Sequence, residues 1–206
     1  MSTSTKNNLL FLIAAITMVI DHIGIAFFPD QIILRIIGRL SFPIYAYGIA
    51  QGVKHTSNFK KYITRILVAA VIAQPFYMYS LRNGANIMFE LALFALILNF
   101  VKNEKNKPAF ILAILATILN LDYGLYGLVL AFGFFIMDED RLMGIILISI
   151  ATFVSALGSV MFAQGFAILA LPIILYLPNV KINLPKYFFY AFYPLHLMII
   201  CLIKFI

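Results

Sequence analysis

Charge is scarce in this chain. Asp, Glu, Lys and Arg make up 11% of its 206 residues, while 64% are hydrophobic and the mean hydropathy is +1.02. A soluble domain carries about 25% charged and 45–50% apolar residues, so no water-soluble core of this length could bury so much apolar surface. Cysteine is nearly absent, and Cys201 alone makes neither an internal disulfide nor a metal cluster. The familiar chemical signatures are missing as well: there is no P-loop, dinucleotide glycine pattern, HExxH or GxSxG. ATP-driven transport, zinc proteolysis and serine hydrolysis by those motifs are therefore unsupported, and no metal is expected. The apolar runs lack period-2 alternation, which disfavours a transmembrane barrel. No internal repeat, low-complexity tract or long polar segment divides the chain, so residues 1–206 read as one domain.

What is present is a set of continuous apolar runs, the mark of an all-α, polytopic helical membrane protein. Nine segments stand out: 9–28, 32–52, 62–80, 87–101, 109–121, 123–137, 142–157, 161–177 and 187–206. A spanning helix needs about 20 residues. The fifth and sixth are shorter and are divided by Asn120-Leu121-Asp122-Tyr123-Gly124, so they form either two tilted spans or one re-entrant hairpin. The run after Met1–Asn8 is longer than a signal-peptide core and has no small-residue cleavage pattern after it, so a retained first span is expected. Ten basic residues fall on one side of this topology: Lys6, Lys54, Lys60, Lys61, Lys102, Lys105, Lys107, Arg141, Lys181 and Lys186. Arg82 and Lys204 fall on the other. The positive-inside rule then predicts a multi-pass protein of the cell membrane with its N-terminus in the cytoplasm and its C-terminus outside. The same basic loops account for the net charge of +7 without nucleic acid.

Against this background the ionisable residues inside the segments carry the information. A charge at the bilayer centre costs about 2.5–3.5 kcal/mol on insertion scales, so such groups are usually paired and functional. Asp21 and His22 lie in the first segment, Arg35 and Arg39 in the second, Glu90 opens the fourth, and His196 is embedded in the ninth. The predicted topology gathers all but His196 towards the extracytoplasmic face and leaves His196 nearer mid-membrane. Neighbours on a helix point about 100° apart, so Asp21 and His22 each meet a partner on another helix. His22 is then a general base or nucleophile, or Asp21 forms a salt bridge to Arg35 or Arg39 and His22 only bonds backbone. Arg35 and Arg39 share one helical face, and Gly38 permits close helix approach. Two guanidinium groups there suit a carboxylate, a phosphate or a developing oxyanion, or they pair with Asp21 and Glu90. Pro43 and Pro75 each free a carbonyl inside a helix. Gln51, Gln74 and Gln164 line a common interior or glue helices together. Tyr123, Tyr126, Tyr187, Tyr190 and Tyr193 read as interfacial anchors. Lys54, Lys60 and Lys61 with Arg65 either bind an anionic ligand from the cytoplasm or serve topology and lipid headgroups. Pro194 precedes His196, which is either catalytic or a satisfied core histidine.

Several of these stretches occur in an order that resembles the TraX family. The likeness runs through Ile20-Asp21-His22-Ile23-Gly24, then Leu34-Arg35-Ile36-Ile37-Gly38-Arg39-Leu40-Ser41-Phe42-Pro43-Ile44-Tyr45-Ala46. It continues through His55-Thr56-Ser57-Asn58 with Lys61, Tyr62 and Arg65, then Asn86-Ile87-Met88-Phe89-Glu90-Leu91 and Asp122-Tyr123-Gly124-Leu125-Tyr126-Gly127. It closes with Phe189-Tyr190-Ala191-Phe192-Tyr193-Pro194-Leu195-His196. The resemblance implies an integral membrane acetyltransferase whose founding members acetylate the N-terminus of a conjugative pilin from acetyl-CoA. The closing helix also resembles that of membrane acyltransferases that modify sugars. The implied partners are the lipid bilayer, acetyl-CoA as co-substrate, and a pilin-like peptide or glycan acceptor. In such chemistry His22 is the base, with His196 its rival. Asp21 or Glu90 orients the base, Arg35 or Arg39 meets the oxyanion, and Lys54, Lys60, Lys61 and Arg65 meet the donor's phosphates. An ion-coupled transporter or a non-enzymatic assembly factor for a surface appendage is the alternative.

Overall fold

In hydrocarbon every backbone N–H and C=O must be satisfied, and a helix does this within one segment. The computed structural model of the chain describes residues 4–119, 121–178, 180, 182–185 and 187–205, without the side chains of 4–7, 160 and 161. Asn120, Lys181 and Lys186 lie outside the described residues. Helices, and no strands among the described residues, follow in the order α1 (Ser4–Phe27), α2 (Ile32–Gly38), α3 (Ser41–His55), α4 (Phe59–Ser80), α5 (Ile87–Lys102), α6 (Asn106–Ile118), α7 (Gly124–Ile136) and α8 (Arg141–Leu157). A 3-10 segment (Val160–Leu169), α9 (Ala170–Tyr176) and α10 (Phe188–Phe205) complete the chain. Four stretches, Asn8–Phe27, Ile32–His55, Phe59–Ser80 and Phe188–Phe205, are long and apolar enough to cross a membrane. The protein is an all-helical, multi-pass membrane protein, and its helices follow the nine apolar segments of the sequence.

Two of those segments are divided, and proline supplies the reason for the first division. The second opens between Arg39 and Leu40, four residues before Pro43, which has no N–H to return to the Arg39 carbonyl. The eighth begins as 3-10 helix and turns α-helical only at Ala170. The fifth and sixth are separate helices of 13 residues each, about 20 Å at 1.5 Å per residue, short of a hydrocarbon core of about 30 Å. Between them Gly124 adopts φ +45, a left-handed conformation that costs glycine little. Glu90 grips this turn: its carboxylate accepts the N–H of Gly124 at 2.6 Å and that of Tyr123 at 3.2 Å.

Helix α3 forms the centre. Its Ile44, Ala46, Ala50 and Val53 are fully buried, and it packs on α1, α5, α7 and α9. Helices α4 and α10 pair on one flank and α7 and α8 on another. In the α7–α8 pair a Cβ on Gly144 would meet the Gly133 carbonyl at 2.7 Å, so small residues set the approach. Outside, Val71, Ile72, Phe110, Leu142, Phe153 and Leu202 are exposed. An apolar surface of this extent marks contact with lipid.

The two ends of the bundle differ in charge. At one, Lys54 pairs with Asp138 at 3.2 Å, and Lys102 donates to the Val53 carbonyl at 2.9 Å, tying together the turns after α3, α5 and α7. At the other, Lys204 donates to the Ser80 carbonyl at 2.9 Å, and Arg82 pairs with Asp122 across the turns after α4 and α6.

Candidate functional site

The end carrying Arg82 and Asp122 holds a cavity of about 560 Å³, within the usual 300–1,000 Å³ of ligand pockets. Helix α1 brings Asp21 and His22 to its wall, α2 and the break after it bring Arg35 and Arg39, and the 3-10 segment brings Gln164. The Gly38 position explains how α1 and α2 approach: a Cβ there would collide with the Asp21 carboxylate.

Asp21 holds two guanidinium groups at once. Arg35 Nη1 lies 2.7 Å from Oδ2 and Arg39 Nη2 lies 3.2 Å from Oδ1. Arg39 is further engaged, donating from Nη1 to Gln164 Oε1 at 3.0 Å and from Nε to the Arg35 carbonyl at 3.2 Å. Gln164 passes the network on, donating to the Tyr126 hydroxyl at 3.1 Å. One carboxylate between two guanidinium groups leaves a net positive charge on the cavity wall. Arg35, with one Nη turned to Asp21, has more of its fork free for a ligand than Arg39 has.

His22 and His196 meet. His22 Nδ1 lies 2.8 Å from His196 Nε2, and His196 Nδ1 lies 3.0 Å from the Phe192 carbonyl. The rings are nearly coplanar, 12° apart, with centroids 5.1 Å apart. That separation equals the N···N distance plus a ring radius at each end, so the rings meet edge to edge along a hydrogen bond. The partners assign the tautomers. A carbonyl only accepts, so His196 Nδ1 carries a hydrogen. His196 Nε2 then accepts from His22 Nδ1–H, and His22 Nε2 is left with a lone pair. His22 lines the cavity, and His196 lies behind it.

A second polar group lines the same cavity. Arg82 Nε donates to the Tyr77 hydroxyl at 2.7 Å, and Tyr77 donates to Asp122 Oδ2 at 3.1 Å. Burial opposes charge on Arg82, but the hydrogen bonds it donates to Asp122 and Tyr77 outweigh it, and its pKa lies above the ordinary arginine value.

The structure thus joins Asp21 with Arg35 and Arg39, and His22 with His196. The two histidines are partners at one level; helices that start at different levels make distance from a helix end a poor measure of depth. Glu90 is not brought to the cavity wall, since it serves the α7 turn. Nor do the basic residues assemble into one patch. Lys54 is held by Asp138 and lies 4.8 Å from the centre of the Phe135 ring. Lys60 and Lys61 are exposed, and Arg65 lies over the Tyr187 ring at 5.2 Å. The three glutamines go to three places: Gln164 to the cavity, Gln74 to Asn86 at 2.8 Å and Gln51 to Asp138 at 2.9 Å. Tyr123, Tyr126 and Tyr193 line the cavity instead of acting as interfacial anchors, and Gln164 holds the Tyr126 hydroxyl there. Tyr77 carried no sequence signal, being one of five aromatics in an apolar helix.

Comparison with known proteins adds a family. The TraX protein family matches residues 6–204. A probable fimbrial assembly protein of Dichelobacter nodosus is 28% identical, with 93% of each chain covered. An uncharacterized protein of Rickettsia prowazekii is 29% identical over 40% of each chain. No solved structure matches significantly.

Proposed function

The chain belongs to the TraX family, and we propose that it is a membrane-embedded acetyltransferase that moves an acetyl group from acetyl-CoA to the N-terminal amine of a surface-fibre subunit. The observation that carries this reading is the hydrogen-bonded pair His22–His196, of which His22 keeps Nε2 unengaged and lines a cavity that Arg35 also lines. Acyl transfer needs a base for the attacking group and a donor for the oxyanion, and the cavity has both. Donor chemistry comes from the family resemblance. The fibre subunit comes from the relative named as a fimbrial assembly protein.

His22 Nε2 takes the proton from the acceptor amine as its nitrogen attacks the thioester carbonyl. Arg35 faces the oxyanion that forms. When the C–S bond breaks, His22 returns the proton to the leaving thiolate, so the products are the N-acetylated acceptor and CoA with its free thiol. While His22 is an imidazolium, its Nδ1–H bond to His196 strengthens. His196 is a positioning residue, fixed in turn by the Phe192 carbonyl. Asp21 positions both arginines. The donor's phosphates belong at the opposite, basic end, on Lys60, Lys61 and Arg65, since Lys54 is already engaged by Asp138.

The test uses purified protein with radiolabelled acetyl-CoA and two acceptors, a peptide with a free N-terminus and a glycan. Saturable CoA release with label on the peptide amine is expected. Label on the glycan alone would move the acceptor to a sugar hydroxyl. Folded protein that transfers to neither would overturn the enzyme reading; uptake into proteoliposomes would then favour transport, and rescue of fibre assembly a non-enzymatic role.

A further inference from the structure

A second cavity, of about 230 Å³, adjoins the first, and Met18, Tyr45, Ile87 and Tyr193 line both. Away from that junction its walls are apolar, with Phe11, Ile49 and Met88 among them. On α1 it extends from Met18 back to Phe11, about 10 Å along the helix axis. Gly48 lets the Phe11 ring pack onto α3 at the slot wall, since a Cβ there would meet that ring at 2.5 Å. The far end reaches Tyr62 and Tyr190. Tyr62 is in the first turn of α4, beside Lys61 and one turn before Arg65. This slot therefore runs from beneath the basic end to Met18 and Tyr193, one helical turn before His22 and His196.

Tyr193, at the junction, is 3% exposed, and its hydroxyl donates to no acceptor among the described residues. The backbone group beside it, the Ile87 N–H, is itself a donor and leaves the tyrosine O–H unspent. A buried donor without an acceptor is rare and costly.

We infer that the slot is the path of the acyl donor's uncharged arm, and that the Tyr193 hydroxyl meets the thioester carbonyl where the arm emerges beside His22. The inference rests on the acyl-transfer reading. Three features select this occupant. The slot is apolar, so it admits an uncharged chain and rejects a polyanion. Its far end lies under exposed cations that match the phosphates at the chain's other end. Its near end is the cavity wall bearing the base and an unspent donor. A donor held at one end of the bundle can thus present its thioester near the other without carrying its charges through the protein.

The experiment starts from Cys201→Ser, which removes the chain's single thiol, and adds Met88→Cys within the slot. Turnover and acetyl-CoA binding are measured before labelling with benzyl methanethiosulfonate, after labelling followed to completion by mass, and after dithiothreitol. Val71→Cys, on the exposed face of α4, is the control. Labelling of the Met88→Cys variant is expected to cut peptide acetylation at least about tenfold, with recovery on reduction, while adenosine 3′,5′-bisphosphate, which lacks the arm, still binds. In parallel, Tyr193→Phe should lower kcat by about 10²-fold, the loss typical of one oxyanion donor, with KM for acetyl-CoA little changed. Complete labelling without loss of turnover, or an unchanged kcat in Tyr193→Phe, overturns the inference while the acetyltransferase stands. Absence of transfer by the unmodified wild-type protein overturns the acyl-transfer reading itself.

Discussion

His22 and His196 are 174 positions apart and act as one unit through a single 2.8 Å contact. Removing a general base typically costs 10²–10⁴-fold, so His22→Ala should lose about that factor in turnover at matched folded amounts. His196→Ala should lose less, and should cost nothing further in the His22→Ala background, because it acts only through His22. Losses that multiply in the double variant would show that His196 has an independent role. The arginines offer a second test. Asp21 is the shared carboxylate of two guanidinium groups, and breaking one partner of a buried pair costs about 3–5 kcal/mol. Asp21→Leu should therefore be strongly destabilised in thermal unfolding. Adding Arg35→Met should recover only part of the loss, since Arg39 keeps its charge. Full recovery in that double variant would mean that Arg39 needs no carboxylate.

At the scale of elements, the cavity depends on turns more than on helix interiors. Asn86 caps α5 by accepting the Met88 N–H at 3.1 Å and donates to the Ala70 carbonyl at 2.8 Å, which ties down the turn carrying Arg82. Glu90 does the same for the turn carrying Asp122 and Tyr123. Unsatisfied buried groups cost about 1–3 kcal/mol each, and Glu90→Ala strands two N–H groups, so it should lower thermal stability by about 2–6 kcal/mol. Turnover per folded molecule should stay within a few-fold of wild type. A hundredfold loss at matched folded amounts would instead place Glu90 in the chemistry. The break before Pro43 matters in the same way: it puts Arg39 at a helix end, where its side chain folds back to the Arg35 carbonyl and across to Gln164.

For the whole molecule, the division of charge between two ends has a direct consequence. Reporters fused after Lys107 and at the C-terminus should fall in opposite compartments, because the fifth to ninth segments, an odd number of crossings, separate them in the nine-segment arrangement. The same compartment for both would refute that arrangement. The basic end can be tested separately. Replacing Lys60, Lys61 and Arg65 together should weaken CoA binding and make the remainder less sensitive to salt. Lys54→Ala should mainly reduce stability, since Lys54 is tied to Asp138 and the Phe135 ring. Unchanged CoA affinity in the triple variant would return those cations to topology and lipid contact.

Composition and the lengths of the apolar runs were enough to determine a helical membrane protein, its nine segments and its two unlike ends, because burial in lipid constrains every residue of a span in the same way. Local chemistry also reached a pairing of Asp21 with Arg35 or Arg39, of which the structure makes both: a four-residue spacing puts the two arginines on one face, and Gly38 marks the close approach. Tertiary structure alone decided the rest. Whether two histidines on the first and last helices are rivals or partners depends on how far each helix is shifted along its axis, and hydrophobicity does not encode that shift. Glu90 looks the same in sequence whether it meets an arginine or the N–H groups of Tyr123 and Gly124, and only the approach of α7 selects the second. The slot behind Met18 and Tyr193 is the space that five helices leave between them, and no single segment carries its signature.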